Sequence, residues 1–531
     1  MHILPKPLKM EELSSQTFTL PLRCITINNS VFPETCLTAF KERANYEIIL
    51  QDIGDEQITI LCDSRYACEE YSIKVDDKGV DVRASSERGV IWALATLYQM
   101  MDFKGCIPYC RIQDAPKYRH RGLSLDCARQ FFPVSEIIKI IEQMSLVKMN
   151  TLHWHLTDDQ GWRIESKQFP ELHKQHGCEY YSQNDIVHIV SFAATRGIEV
   201  VPEVDIPGHV SSLLAVYPQY SCSGVSVRYA RQGGIYPVIL CAGNEGTYEF
   251  LNRLWDDICP LFPSSRFHIG GDEAPKKEWK DCPCCQKRIK DNRLGNETEL
   301  QRYFTNRVVT MLEKRGKQAV CWSDALVAGI PEIINSVQYW SIEHDGFINS
   351  YIEEGGRIIY SDMFTLYFDY PHSMIPLRRA YESKLRITEI MCAKIESISG
   401  IEACIWSEHI KTPHRLEQLL FPRLYAVSEA AWSHDQDYED FLVRLQTFIN
   451  NFHCGDLYYT PECRWDPTGM ARQSDTLAYL DMMRSAMTPE IHAETIENAN
   501  LSKSFYEKFI NSFFVPEEDA HIISQMLNGS I

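Results

Sequence analysis

Residues 121–156, RGLSLDCARQFFPVSEIIKIIEQMSLVKMNTLHWHL, decide the fold that the sequence predicts. A short apolar run, Gly122–Asp126, comes first, and a segment with apolar side chains near the helical period, Pro133–Met149, follows it. A second apolar run, Thr151–Leu156, completes the stretch. A strand, a helix and a strand in this order are typical of parallel strands joined by a helix. The stretch therefore predicts the first β-α-β unit of a parallel sheet.

The same alternation continues along the chain. Including the two runs above, eight β-like runs can be counted: Gly122–Asp126, Thr151–Leu156, Gly197–Asp205, Phe267–Gly271, Gln318–Ser323, Ser336–Trp340, Arg357–Asp362 and Ile401–Trp406. Segments such as Asn296–Arg315 and His414–Ala431 have helical periodicity and separate some of these runs. Eight β-α units predict a closed (β/α)8 TIM barrel, that is, an α/β fold.

Two further regions flank the predicted barrel. Residues 1–117 are expected to form an N-terminal α+β accessory domain, with residues 113–116 as the linker out of it. Its predicted elements are the strands Tyr46–Leu50, Ile58–Leu61 and Tyr71–Val75 and the helix Gly89–Met101. The barrel is assigned to residues 118–462. Residues 463–531 are expected to form a small helical C-terminal region with helices at Thr476–Met487 and Asn500–Phe514.

Acids, tryptophans and one histidine lie at or close to the ends of the eight runs. They are Asp126, His155, Asp158, Glu203, Asp205, Asp272, Glu273, Trp322, Asp324, Trp340, Asp362, Trp406 and Glu408. In such barrels the carboxyl ends of the strands surround the active site, so these side chains should meet at one mouth. Aromatic faces stack on sugar rings and carboxylates accept hydrogen bonds from sugar hydroxyls. The combination indicates a carbohydrate site, with Asp324 and Asp362 expected as solvated acids on its rim.

The stretch His268-Ile269-Gly270-Gly271-Asp272-Glu273 carries the predicted chemistry. Two glycines allow a sharp bend after a buried strand, and two adjacent carboxylic acids follow. Acids that share a cleft repel each other, so one of them is expected to keep its proton near neutral pH. An acid beside a charged carboxylate is what cleavage of a sugar acetal requires.

Composition excludes several classes of protein. The chain has 531 residues, 44% of them hydrophobic and 24% charged, and a net charge of −19, which disfavours nucleic acid and anionic membrane surfaces as partners. No apolar run is long enough for a transmembrane helix, and residues 1–20 lack the apolar core of a signal peptide. A cytoplasmic location is therefore expected, no cofactor is implied, and a homo-oligomer stays open.

Nineteen cysteines occur in the chain, mostly as single residues in apolar runs, and are interpreted as reduced and buried. Cys282-Pro283-Cys284-Cys285 is the one dense cluster. A zinc site usually needs two such pairs, and no second CxxC follows. A local reduced loop is the favoured interpretation and no metal is predicted, although a zinc site here stays open.

The order of several long motifs resembles that of glycoside hydrolase family 20, the β-N-acetylhexosaminidases. The motifs are Arg121–Arg129 (RGLSLDCAR), His153–Arg163 (HWHLTDDQGWR), Pro202–His209 (PEVDIPGH), His268–Glu273 (HIGGDE), Tyr367–Asp369 (YFD) and Trp406–Glu408 (WSE). The resemblance covers roughly residues 20 to 460. It implies an exo-acting, retaining enzyme that hydrolyses terminal β-linked GlcNAc or GalNAc from a glycan through an oxazolinium ion formed by the substrate's own acetamido group.

The resemblance also implies roles for single residues. Glu273 would be the general acid and then the general base, and Asp272 would hold the acetamido N–H and stabilise the developing positive charge. The implied substrate-binding residues are Arg129, Asp158, His209, Trp322, Trp340, Tyr367, Asp369, Trp406 and Glu408. Arg129 and Glu408 would clamp the sugar hydroxyls, Asp369 would bind one more, and Tyr367 would donate to the acetamido oxygen. The three tryptophans would wall the pocket, and Asp158 with His209 would form a relay to Glu273.

Alternatives remain open at several of these positions. Arg129 could form a barrel salt bridge with Asp126, His209 could be a core histidine, and Trp322 and Trp340 could belong to the barrel core. The chain could also be specific for a disaccharide or a sulfated GlcNAc, a non-catalytic glycan-binding relic, or a scaffold for a partner.

Overall fold

The computed structural model describes residues 1–21, 23–29, 31–50, 57–175, 179–234, 236–329, 331, 336–383, 395–435, 437–452, 457–486 and 513. An N-terminal mixed sheet, a closed eight-stranded parallel barrel and a C-terminal helix follow one another along the chain. The predicted TIM barrel with an N-terminal α+β domain and a helical C-terminal extension is confirmed.

The N-terminal sheet has seven strands in the order β1-β7-β5-β6-β4-β2-β3. They are β1 (Lys9–Thr19), β2 (Cys24–Asn28), β3 (Glu47–Leu50), β4 (Ile58–Cys62), β5 (Tyr71–Asp76), β6 (Gly79–Ala84) and β7 (Cys106–Asp114). Two helices accompany it: α1 (Thr38–Ala44) and α2 (Glu87–Met100). Helix α2 begins after Ser86, whose side chain accepts a hydrogen bond from the Gly89 N–H, and nearly all of its side chains are buried.

The linker predicted at residues 113–116 is wrong for its first half. Gln113 and Asp114 are the last residues of β7 and pair with β5. Asp114 is fully buried, and its carboxylate accepts hydrogen bonds from Lys148 Nζ (2.8 Å) and Trp432 Nε1 (2.9 Å). Since both partners lie beyond residue 118, this buried ion pair fastens the N-terminal sheet to the barrel.

The barrel strands follow one another around the barrel in chain order. They are β8 (His120–Asp126), β9 (Thr151–His155), β12 (Glu199–Glu203), β13 (Arg266–His268), β14 (Gln318–Trp322), β15 (Ser336–Tyr339), β16 (Ile358–Tyr360) and β17 (Ile398–Ile405), and a small hairpin, β10 (Thr157–Asp158) with β11 (Gly161–Trp162), follows β9. All eight predicted runs are strands. The register aligns Asp126 with His155, His155 with Glu203 and Glu203 with His268, so the last residues of four strands share one layer at the mouth.

Helices cover the outside of the barrel and line its connections. They are α3 (Val134–Leu146), α4 (Gln183–Ala194), α5 (Ser211–Val216), α6 (Glu245–Ile258), α7 (Lys277–Asp281), α8 (Pro283–Asp291), α9 (Glu297–Glu313), α10 (Asp345–Glu353), α11 (Met363–Leu366), α12 (Leu377–Tyr381), α13 (Pro413–Leu420), α14 (Arg423–Trp432) and α15 (Tyr438–Phe452). The single helix predicted at His414–Ala431 is two, α13 and α14, because Pro422 cannot donate to the helical ladder. The loop predicted at residues 282–285 is also wrong, since α8 begins at Pro283, a residue favoured at the first helical position.

The C-terminal region begins with α16 (Gly469–Ala486), which packs on the barrel mouth. The ring of Tyr479 lies 5.7 Å from that of Tyr370, and Phe513 lies 4.8 Å from the same ring. The predicted helix at Asn500–Phe514 falls outside the described residues except for Phe513. Among the helices that the structure describes, none combines the length and the apolar character that crossing a membrane requires.

Candidate active site

A glycine bend at the end of β13 brings two carboxylic acids to the mouth. Gly270 has φ +65°, and a Cβ there would lie 1.7 Å from Asp205 Oδ1, so only glycine fits. The N–H of Gly271 donates to the same oxygen at 3.1 Å. Glu273 also has a positive φ, +43°. Such a conformation is strained for a residue with a side chain and is found mostly at functional sites.

The two acids have different surroundings. The Asp272 side chain is 17% exposed, whereas that of Glu273 is 34% exposed. Burial, with the negative charges of Asp324 and Glu273, raises the pKa of Asp272 to about 7, against the opposing effect of His209. The sequence predicts that one acid of the pair tends to hold its proton, and the raised pKa belongs to Asp272. A positive charge developing beside this carboxyl would favour its ionised form.

His209 lies between these acids and a third, Asp158. Its Nδ1 is 3.3 Å from Asp158 Oδ1, and its Nε2 is 3.6 Å from Glu273 Oε2 and 3.7 Å from Asp272 Oδ2. Burial opposes protonation of the ring, but the charge of Asp158 raises the pKa of His209 well above its usual value. The structure therefore brings together the three members of the predicted relay, with an imidazolium placed to respond to the charge of both acids.

Arg129 joins this group to the opposite side of the mouth. Its guanidinium lies 2.7 Å from Asp158 Oδ2, 3.5 Å from Asp126 Oδ2 and 3.9 Å from Glu408 Oε1. The salt bridge with Asp126 is thus present, yet it coexists with the approach to Glu408. The guanidinium carbon also lies 5.1 Å from the centre of the Trp406 ring, within range of a cation–π contact.

Aromatic rings form one wall of the site. The rings of Trp340 and Tyr367 are nearly parallel, with centroids 6.4 Å apart, and the ring of Trp406 stands 5.9 Å from Tyr367 at an angle of 65°. Trp322 is only 1% exposed, lies 5.8 Å from Trp406, and donates from Nε1 to Glu203 Oε1 at 2.9 Å. The first three rings face the cavity, and Trp322 supports them from beneath.

Asp369 is an acid buried in the same wall. Burial, and next the charge of Glu408, raise the pKa of Asp369 to about 8. Its Oδ1 is buried and lacks a hydrogen-bond partner among the described residues. A buried polar atom of this kind is stabilised when a ligand donates to it.

The cavity at the mouth has a volume of about 790 Å³. Eight of the eleven predicted site residues line it: Arg129, His209, Glu273, Trp340, Tyr367, Asp369, Trp406 and Glu408. The other three, Asp158, Asp272 and Trp322, lie behind them. Thr460, Arg464 and, from α16, Tyr479 also line the cavity. The C-terminal region, where the sequence shows no chemistry, therefore shapes the entrance.

Asp324 is a site residue that the sequence analysis placed wrongly. It is not a solvated rim acid, because its side chain is 17% exposed and it accepts hydrogen bonds from the Glu273 N–H (3.2 Å) and from Trp340 Nε1 (2.7 Å). Asp324 thus fixes an acid and a wall residue at once. The sequence signal for a place in the site was its position two residues after β14, whose carboxyl end lies at the mouth. The same prediction is wrong for Asp362, which is fully buried and accepts a hydrogen bond from the Thr365 hydroxyl at 2.9 Å.

Two buried glutamates lie beneath the mouth: Glu203, which the sequence placed at a strand end, and Glu402, which it did not indicate. Glu203 is contacted by His153 at 3.0 Å and by His268 at 2.9 Å, and it is hydrogen-bonded to His155. Glu402 accepts from Gln338 Nε2 at 2.8 Å and lies 2.8 Å from His153 Nδ1. These carboxylates sit on inward-facing positions of β12 and β17. The network holds the histidines in fixed orientations beneath the candidate active site.

Comparisons with known proteins agree with this geometry. Residues 118–435 match the model of the glycosyl hydrolase family 20 catalytic domain, and residues 1–115 match domain 2 of the same family. A beta-hexosaminidase of Porphyromonas gingivalis is 31% identical, over 92% of this chain and 67% of its own length. One of Vibrio furnissii is 30% identical, over 81% and 76%.

Solved structures are similar throughout the fold. The beta-N-acetylhexosaminidase of Bacteroides fragilis superposes with a TM-score of 0.80 at 27% identity, over 88% of this chain and 99% of the other. An exo beta-N-acetylglucosaminidase of Vibrio harveyi, solved in complex with N-acetylglucosamine, gives a TM-score of 0.77 at 26% identity, over 87% and 78%.

Proposed function

The chain belongs to glycosyl hydrolase family 20, and we propose that it is an exo-acting, retaining β-N-acetylhexosaminidase that releases terminal β-linked GlcNAc or GalNAc. One observation carries the proposal. Asp272 and Glu273 stand side by side at the barrel mouth, with His209 Nε2 within 3.7 Å of both carboxylates. A binding-only protein would need neither an acid partly exposed to the cavity nor a histidine coupled to it.

The proposed reaction uses the substrate's own nucleophile. The acetamido oxygen attacks the anomeric carbon while Glu273 protonates the leaving oxygen, so one C–O bond forms as the other breaks. Asp272 accepts a hydrogen bond from the acetamido N–H and compensates the positive charge of the oxazolinium ion. Glu273 then removes a proton from the water that opens this ring. Two displacements on the same carbon give net retention.

The remaining residues would hold the sugar. Arg129 and Glu408 lie together at one end of the cavity, which supports a clamp on hydroxyls of the non-reducing end and hence exo cleavage. Asp369 offers one more hydroxyl a buried oxygen that has no hydrogen-bond partner among the described residues. Trp340, Tyr367 and Trp406 would enclose the ring and the acetamido methyl, with Trp322 below them.

We further propose that residues 1–117, 118–462 and 463–531 act as accessory domain, catalytic barrel and entrance-shaping extension. A cytoplasmic location is supported by the sixteen cysteines of the described residues, all of which are free of disulfide bonds.

Hydrolysis of three aryl glycosides tests the proposed function. Aryl β-GlcNAc and aryl β-GalNAc should be hydrolysed, whereas aryl β-glucoside should not, because it lacks the acetamido oxygen that replaces an enzyme nucleophile. The release of the aryl alcohol is measured for each at equal enzyme concentration. Equal rates on the glucoside would overturn the mechanism, and inactivity on all three would favour a disaccharide-specific, sulfate-specific or binding-only protein.

The pH dependence of kcat/KM should show an acidic limb set by Asp272. The pKa of Asp272 in the free enzyme is raised to about 7, and only the ionised carboxylate compensates the oxazolinium charge. Activity should therefore fall roughly tenfold per unit as the pH drops below about 7. Replacing Asp324 with asparagine removes a nearby negative charge and should move this limb to lower pH. The profile is measured from about pH 5 to about pH 9, and an unmoved limb in Asp324→Asn would contradict the assignment.

A further inference from the structure

Four cysteines from separate parts of the chain meet beside the barrel. They are Cys222 and Cys241, which bracket the long connection after α5, and Cys282 and Cys285, at the start of α8. The sulfur of Cys241 lies 3.7 Å from those of Cys282 and Cys285, and that of Cys222 lies 3.8 Å from that of Cys285. All four sulfurs lie within 4.8 Å of one another.

These distances are those of a tetrahedral metal site. Zinc–sulfur bonds of about 2.3 Å in a tetrahedron place the sulfurs about 3.8 Å apart. A disulfide would need an S–S separation of about 2.05 Å, and none of the four cysteines is in one. Cys241, Cys282 and Cys285 are buried and Cys222 is partly buried, so the set is shielded as structural zinc sites are.

The backbone is built to hold the four sulfurs together. Cys282 precedes the first turn of α8 and Cys285 lies within that turn, which points both sulfurs to one side. Gly243 packs directly against this turn, since a Cβ there would lie 2.2 Å from the carbonyl carbon of Cys284. In the connection after α5, the Cys241 N–H donates to Tyr220 O at 2.7 Å. This hydrogen bond brings the two ends of the connection together.

We infer that Cys222, Cys241, Cys282 and Cys285 bind one zinc ion as four thiolates. The sequence has no second CxxC for this site, because the second pair of ligands is separated along the chain and joined only by the fold. Soft thiolates favour zinc among the common divalent ions. The bound ion would fix both ends of the connection between residues 222 and 241 to α8.

The middle of this connection reaches the candidate active site. Gln160 Nε2 donates to Gln232 O at 2.7 Å, and Gln160 Oε1 in turn accepts from Arg129 Nε at 3.2 Å. Gly233 lines the cavity and packs against Glu408, which a Cβ at this position would approach to 2.9 Å. The zinc would therefore brace the pocket end that holds Arg129 and Glu408. This second part rests on the proposed function, whereas the metal site itself does not.

Metal analysis of the purified full chain tests the site. Inductively coupled plasma mass spectrometry should find about one zinc per chain in the unmodified protein and in Cys284→Ser, the control, whose exposed thiol lies in the same motif but outside the cluster. Cys241→Ser and Cys282→Ser should retain less than about a fifth of this zinc and unfold at least about 5 °C lower. Zinc in the unmodified chain that persists in both variants would place the ion elsewhere and overturn the inference.

A second measurement does not depend on the variants folding. Zinc is removed from the unmodified protein with a chelator under reducing conditions, and Co²⁺ is added as a probe. Visible d–d bands and a thiolate-to-cobalt charge-transfer band, both abolished by added zinc, are expected from four thiolate ligands. An unmodified chain with no metal and no such bands, or with these cysteines joined as disulfides in intact mass, would overturn the site.

The catalytic consequence has its own readout. Loss of zinc should raise KM for aryl β-GlcNAc more than it lowers kcat, because the braced end of the pocket binds the sugar and does not transfer protons. Equal KM and kcat values with and without zinc would contradict the bracing role of the zinc but not the metal site itself. A chain that binds zinc but hydrolyses no substrate would contradict the proposed function and leave the metal site standing.

Discussion

Replacement of Glu273 by glutamine should lower kcat/KM about 10²–10⁴-fold on a disaccharide in which β-GlcNAc is linked to a second sugar. The sugar alkoxide is a poor leaving group and must be protonated as it departs, which glutamine cannot do. An aryl β-GlcNAc with an activated phenol needs little protonation, so its kcat/KM should fall far less. Initial rates on both substrates give the two ratios.

The control for this experiment is Glu343→Gln, which alters an exposed glutamate outside the residues that line the cavity. It should leave both substrates unaffected. An equal fall on both substrates in Glu273→Gln would show that Glu273 does not act as the acid in cleavage of the glycosidic bond.

Replacement of Asp272 by asparagine should lower kcat about 10²–10³-fold whatever the leaving group. In the proposed mechanism the carboxylate compensates a charge that develops on the acetamido group, and this charge forms whether the departing group is a phenol or a sugar. Its loss should therefore act on activated and unactivated substrates alike, in contrast to Glu273→Gln. Asp291→Asn, in an exposed ion pair with Lys287, is the matched control. A loss of kcat confined to the substrate with the poor leaving group would indicate that Asp272, and not Glu273, is the general acid.

The architecture was predictable because its signals are local and repeated. Each barrel strand is a short apolar run, and a helix such as α3 carries its apolar side chains at the helical period. Eight such units leave few alternatives to a closed barrel. The strand ends also placed four of the cavity residues, Glu273, Trp340, Trp406 and Glu408, because parallel strands of a barrel present their carboxyl ends on one face.

Contacts between distant parts of the chain could not be predicted from these local patterns. Asp324 looks like a rim acid in sequence, and only the packed mouth shows it beneath Trp340 and Glu273. Glu203 and Glu402 lie at inward-facing strand positions where apolar residues are the usual choice, and their histidine partners come from other strands. The same holds for the four clustered cysteines. Cys222 and Cys241 are single cysteines in the sequence, and only the fold brings them next to Cys282 and Cys285.

Asp272 and Glu273 are neighbours in the chain, but their proposed roles differ because their surroundings at the mouth differ. Burial and the neighbouring carboxylates raise the pKa of the less exposed acid, Asp272, so a cation beside it would favour its charged form, whereas the more exposed acid, Glu273, lines the cavity. Gly270 and Asp205 set this difference, because the bend they form turns the second acid outward. In the proposed mechanism the substrate's acetamido group, and not an enzyme carboxylate, attacks the anomeric carbon.

Inhibition by a thiazoline analogue of the oxazolinium ion tests this claim most directly. The inhibition constants of GlcNAc-thiazoline and of free GlcNAc are measured on the unmodified enzyme and on Asp272→Asn. The thiazoline should bind the unmodified enzyme at least about 10²-fold more tightly than GlcNAc, and Asp272→Asn should lose most of this advantage. Equal inhibition of the unmodified enzyme by the two compounds would contradict catalysis through the acetamido group.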